Sequence, residues 1–161
     1  MANTETIILD DNGTNKIKIL TGKWRNFKGE KRRFNNAGDR SFNIGIYDND
    51  ILALLESKGV NIKTYISSNI SEDIEPLRYL KVKVNFNEYG PKVYLYVEGK
   101  EEPVQLDANT VGELDEAFIT RCIVKLNLRP YSLDTGASGV SVYLNELAVQ
   151  IKPNRFESNP F

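Results

Sequence analysis

In the stretch YLKVKVNF, Leu80, Val82, Val84 and Phe86 alternate with Lys81, Lys83 and Asn85. That period of two is the mark of a strand with one face on a core and the other in water. KVYLYV repeats it, with Val93, Leu95 and Val97 on one face and Tyr94 and Tyr96 on the other. EYGP between them predicts a turn, and the two runs together predict a hairpin carrying a tyrosine pair on its second face. RSFNIGIY places Phe42, Ile44 and Ile46 on one side. Shorter runs, ETIIL and KIKIL, flank the turn signal DDNG, and VNIKTYI reads as a further strand. CIVKLNLRPY predicts a long strand interrupted at Pro130, and GVSVYLNELAVQI closes the sheet. Helical signals are few. NDILALLESKG predicts a short helix with Asp48 or Asn49 as cap and Gly59 as its stop. DANTVGELDEAF predicts a second, over about Asn109–Phe118, capped by Asn109 or Thr110.

Many short strands with one or two short helices place the chain in the all-β class. An OB-like five-stranded barrel with extra hairpins fits the order of elements, the second helix falling between the third and fourth barrel strands. A sandwich accommodates the strand count almost as well and explains that helix less naturally. The expectation is a single OB-like β-barrel domain over residues 1–151 and a flexible C-terminal tail over 152–161, with an acidic loop over 67–75.

Composition narrows the function more by exclusion than by suggestion. Formal net charge is −1, so no overall field draws the protein to nucleic acid or membrane, and any such attraction must be local. Histidine is absent, which removes imidazole acid–base chemistry, Ser-His and Cys-His dyads and nearly every zinc site. The one cysteine, Cys122, allows no internal disulfide and reads as a small core residue. No run of about 18 apolar residues spans a membrane, and the first residues lack the pattern of a signal peptide. The expectation is a cytoplasmic, non-catalytic protein with no cofactor, no metal and no membrane partner.

Charge is concentrated at one place. Lys23, Arg25, Lys28, Lys31, Arg32, Arg33 and Arg40 hold a third of the chain's 21 basic residues, opposed locally only by Glu30 and Asp39. Trp24, Phe27 and Phe34 are interleaved with them. Single-stranded nucleic acid asks for this mixture: cations along a groove for phosphates, flat rings for unpaired bases. Arginine serves both roles. Lys23, Arg25, Lys31, Arg32, Arg33 and Arg40 are therefore candidates for phosphate, and Trp24, Phe27 and Phe34 for bases. Phe42 alternates with Ile44 and Ile46 and belongs with the core. Tyr94 and Tyr96, and Arg129 with Tyr131, are further candidates. Lys81 and Lys83 beside the tyrosine pair make either a strand platform for bases or an ordinary amphipathic surface.

LDTGAS, Leu133 to Ser138, matches the string in which Asp134 would be an aspartic-protease carboxylate. That chemistry needs a second carboxylate sharing a proton and a flap over both. No second such string occurs, and Asp-Thr-Gly between two strand-like runs is hairpin-loop chemistry.

The segment RNFKGEKRRFNNAGDRSF resembles the pattern R-N-F-x-G-x-x-x-x-[YF]-N-x-x-G-x-R-x-F of a group of phage-encoded single-stranded DNA-binding proteins, matching at Arg25, Asn26, Phe27, Gly29, Phe34, Asn35, Gly38, Arg40 and Phe42. The likeness continues more weakly to the end of GVSVYLNELAVQI, with Arg129, Pro130 and Tyr131 also matching, and covers most of the chain beyond Thr21. It implies an OB-like barrel, binding of single-stranded DNA without strong sequence preference, and a role in phage replication, recombination or repair. The last residues, Pro160 and Phe161, resemble the partner-docking tip of bacterial single-stranded DNA-binding proteins, which would bring replication or recombination proteins as partners. Self-association stays open. The alternative from another class is a virion or assembly β-domain whose basic loop faces packaged DNA.

Overall fold

Among the described residues the alternating runs form ten strands: β1 (Glu5–Asp10), β2 (Ile17–Ile19), β3 (Arg25–Asn26), β4 (Arg40–Ile46), β5 (Lys63–Tyr65), β6 (Leu77–Val84), β7 (Lys92–Val97), β8 (Val104–Leu106), β9 (Ile119–Ser132) and β10 (Ser138–Ile151). This is a computed structural model, and it describes residues 4–11, 14–66 and 76–152. The one α-helix among the described residues, α1 (Asn49–Ser57), follows β4 as its pattern predicted. Asp48 is its cap, accepting the Asp50 N–H at 2.7 Å, and Leu55 buries its one fully enclosed side chain. Among the described residues, no helix is long and apolar enough to cross a membrane.

The strands join in one sheet along the path β1-β9-β10-β6-β4-β2, and the protein is all-β. The expected closed barrel is corrected here: the path has two free ends, with β1 pairing only β9 and β2 only β4 among the described residues. The reason lies in β10. Its first half lies parallel to β6 at Tyr143–Lys83, and its second half lies parallel to β7 from Glu146–Lys92 to Ile151–Val97. The register with β9 slips between Leu144 and Glu146, a bulge at Asn145 that bends the strand as it changes partner. The sheet thus branches and curls around its core without closing.

The predicted hairpin between β6 and β7 is corrected too. Both strands run parallel to β10, so the EYGP segment moves the chain sideways without reversing it. The residues between them fold into a small loop, tightened by the Asn87 N–H to Gly90 carbonyl bond of 2.7 Å. The antiparallel partner of β7 is β8.

Pro130 does not interrupt β9, which continues to Ser132. Beyond Leu128 the β1 pairing has ended, and the β9–β10 hairpin projects as a two-stranded arm. Pro130 there faces Val140 on one side, the edge setting in which proline is tolerated. LDTGA closes the arm as a loop, the Leu133 N–H donating to the Ala137 carbonyl at 2.7 Å.

The predicted second helix shrinks to a 3-10 turn over Val111–Asp115. Its carbonyls are recruited elsewhere: those of Leu114 and Ala117 accept from the Arg25 guanidinium. The Asp115 carboxylate reaches out to accept the N–H groups of Phe27 and Lys28 at 2.7 and 3.1 Å. Tertiary bonds thus replace the intrahelical ones.

The inward faces of these strands make one core, with Phe27, Phe42, Ile44, Leu80, Val82, Leu126, Leu147 and Leu114 among its fully buried members.

Candidate nucleic-acid interface

Residues paired across neighbouring strands point to the same face. With Phe42–Val82 and Ile44–Leu80 inward, the pairs Ser41–Lys83, Asn43–Lys81 and Gly45–Tyr79 point outward. β5 extends this face with Lys63–Tyr79 and Tyr65–Leu77. β10 continues it through Tyr143–Lys83, and β9 through Asn127–Tyr143, Arg129–Ser141 and Tyr131–Gly139. The outer surface of the sheet is therefore a band of rings and cations.

At one end of the band Trp24 meets Tyr79 and Tyr65 edge-on, with centroids 4.7 and 5.2 Å apart. The Lys23 ammonium lies 5.2 Å from the Trp24 ring and 4.9 Å from that of Tyr65. Asn43 donates to the Trp24 carbonyl at 2.9 Å and fixes the tryptophan to the sheet. In the middle, Tyr143 sits between Arg129 at 4.8 Å and Lys83 at 5.6 Å. At the arm, the hydroxyl end of the Tyr131 ring packs against Gly139, where a Cβ would meet the hydroxyl at 2.6 Å. Among the described residues no carboxylate forms an ion pair with Lys23, Lys63, Lys81, Lys83 or Arg129.

The basic loop joins this band at the Trp24 end. Asn26 exchanges two bonds with Glu30, at 2.8 and 2.9 Å. The Asn35 amide nitrogen reaches the carbonyls of Glu30, Asn36 and Asp39 within 3.0 Å. Gly29 takes a φ of +76°, where any side chain is strained, and a Cβ there would lie 3.2 Å from both Gly38 and the Arg40 side chain. Reciprocal bonds between Arg32 and Asn35 close a tight turn with Arg33 and Phe34 at its two corners. Phe34 is 91% exposed, and the Arg33 guanidinium lies 5.2 Å over its ring. Arg32 donates to the carbonyls of Lys23 and Arg25 at 3.2 and 2.8 Å, which ties the turn to the aromatic corner.

Three expected contacts are corrected. Phe27, expected to stack on a base, is fully buried and stacks on Phe42 at 4.8 Å. Arg25, expected on phosphate, is 2% exposed and donates to the carbonyls of Ile19, Leu20, Leu114 and Ala117. Burial draws its pKa down, against the raising effect of Asp115 and Cys122. Arg40 is turned the same way, half-buried, donating to the Ala108 carbonyl at 2.9 Å and lying over Phe86. Sequence reading saw charge and aromatic character in this segment but not which side chains the core would claim.

The remaining candidates divide by position. Lys23, Trp24, Arg32, Arg33 and Phe34 lie together, with Lys31 exposed on the same loop. Arg129 and Tyr131 lie on the arm end of the band. Tyr94 and Tyr96 share the outer face, but farther along β10, opposite Ala148 and Gln150. Pro160 and Phe161 lie outside the described residues, as does the loop over 67–75. Tyr65, Tyr79 and Tyr143 were missed. The signal for Tyr79 was present, since it shares the parity of Lys81 and Lys83 along β6.

Among the described residues no group of His, Cys, Asp or Glu is placed to hold a metal ion. Burial, with Asp11 and Asp10 nearby, pushes the Cys122 thiol up to about 12, so it is not a nucleophile near neutrality. A family model described as "Putative phage ssDNA-binding domain" matches residues 1–159. No curated protein and no solved structure matches the chain.

Proposed function

Because the chain belongs to the phage single-stranded DNA-binding domain family, we propose that the outer sheet face and the basic loop together bind unpaired DNA with little sequence preference, without catalysing a reaction, in support of phage DNA replication, recombination or repair. The observation that carries this is the corner where Lys23, Trp24, Tyr65 and Tyr79 meet and open onto Lys81, Lys83, Tyr143 and Arg129. Rings of this kind stack on any base, and each stacked base contributes about 1–3 kcal/mol. The cations beside them serve phosphates, which are alike at every nucleotide. A duplex hides its base faces and offers the rings nothing to stack on.

Trp24 is the chain's one tryptophan, so its fluorescence reports the corner directly. Titration with oligo-dT should quench it strongly, with duplex DNA of equal length weakly. If about five phosphates are neutralised, a fourfold rise in salt should weaken binding about a hundredfold. Quenching that is equal for duplex, or indifferent to salt, would refute the assignment. Parallel titration with oligo-U decides between DNA and RNA.

A further inference from the structure

Beside Tyr143 lies a recess of about 230 Å³, between the β6–β7 loop and the outer faces of β9 and β10. Asn85 and Tyr89 line it from the loop, Asn127 and Arg129 from β9, and Tyr143 and Asn145 from β10. Asn145 is the residue bulged out where β10 changes partner, so the slip in register is what delivers its amide to this spot. Asn127 Oδ1 accepts from the Thr6 hydroxyl at 3.0 Å and from Asn145 Nδ2 at 3.1 Å. The two amides are thereby locked side by side. Asn127 Nδ2 and Asn145 Oδ1 have no protein partner among the described residues, which leaves the recess one amide donor and one amide acceptor.

A donor and an acceptor are the groups a nucleobase edge asks for, as with the N6 amino group and N7 of adenine. The recess is smaller than the roughly 300–1,000 Å³ of pockets for drug-sized ligands, and so fits a single base. Tyr89 stands at its mouth, 89% exposed on a turn held by its own N–H to Asn87 Oδ1 at 2.8 Å. With Tyr143 it offers flat rings to a base entering edge-first, and Arg129, 4.8 Å over the Tyr143 ring, supplies a cation beside them.

We propose that this recess seats one base of the bound strand against the Asn127–Asn145 amides, giving one position of an otherwise sequence-neutral footprint a dependence on base identity. It rests on the single-stranded DNA reading above.

The test compares the wild type with the Asn127→Ala/Asn145→Ala double variant and with Tyr89→Ala. Fluorescence anisotropy would be read on short oligo-dA, oligo-dC and oligo-dT and on an abasic oligonucleotide of the same length and charge. The double variant should lose about fivefold or more on the homopolymer the wild type prefers, the lower end of what a good bidentate base contact supplies. The ranking of homopolymers should flatten, and abasic binding should stay unchanged. Tyr89→Ala, at an exposed turn corner, should weaken base-bearing strands and spare the abasic one. Unchanged ranking, or an equal loss on all four oligonucleotides, would overturn the base pocket while leaving single-strand binding intact. Failure of the wild type to bind any of them would instead remove the reading on which the pocket rests.

Discussion

Phe27 and Phe34 sit seven positions apart in one basic segment, yet truncating them should do opposite things. Phe27 is fully buried and stacked on Phe42 with planes 20° apart. Removing its ring leaves a cavity in the centre of the core, at a cost of about 3–5 kcal/mol. For a chain of this length each kcal/mol lowers the melting temperature by about 2–4 °C, so Phe27→Ala should melt about 6–20 °C lower. Phe34 is 91% exposed on a turn closed by backbone bonds that its side chain does not join. Phe34→Ala should therefore change stability by no more than about 0.5 kcal/mol. If one base stacks on that ring, its loss removes about 1–3 kcal/mol of binding, or about 5- to 150-fold in Kd. Thermal melts by circular dichroism and Trp24 titrations with oligo-dT, run on the same preparations, read both quantities. A Phe34→Ala protein that melts with Phe27→Ala, or that binds oligo-dT like the wild type, refutes the division of labour.

Arg25→Ala should destabilise by about 2–5 kcal/mol in urea unfolding, because it leaves buried carbonyls of Ile19 and Leu114 without their donor; Arg25→Lys should not restore it, since one ammonium cannot span the fork. Stability equal to wild type would refute the structural role. Lys81→Gln/Lys83→Gln should keep the melting temperature and flatten the slope of log affinity against log salt by about 1.4, or about 0.7 per lost phosphate contact; an unchanged slope would exclude both lysines from the path. Cys122, with its pKa pushed up to about 12, should resist iodoacetamide at pH 8 in the native state and react once urea exposes it. Rapid native alkylation, read by mass spectrometry, would contradict its burial.

How much of this was legible in the sequence depended on range. The alternation of Leu80, Val82 and Val84 with Lys81 and Lys83 specified β6 and its two faces, because period-two patterning is local. α1 was equally legible, from Asp48 as cap through Leu55 as anchor. The failures were long-range. Nothing in EYGP distinguishes a turn that reverses the chain from one that passes it along the same neighbour; the pairing of β10 with both β6 and β7 decides that. The 3-10 turn at Val111–Asp115 is shortened by bonds donated by Arg25 and by the Phe27 N–H, whose sequence positions are far away. The same limit governs the site. Trp24, Tyr65, Tyr79 and Tyr143 come from four separated segments, and only the sheet register brings them to one face.

The motif that suggested DNA binding owes its pattern mostly to folding. Arg25 gathers four carbonyls, Asn26 and Asn35 pin the loop backbone, Gly29 and Gly38 let it pass close to Arg40, and Phe27 and Phe42 fill the core. Only Phe34 among the motif positions is displayed. The loop is thus ordered before any ligand arrives, so binding does not bear the entropy of fixing it. A chain keeping every motif position but Phe34 should still fold this loop. The charges proposed to meet phosphate lie at the positions the motif leaves unspecified between Gly29 and Phe34, and on β6 and β9 outside that segment. Differences in affinity among such chains should therefore track Lys31, Arg33, Lys81, Lys83 and Arg129, and differences in stability should track the motif itself.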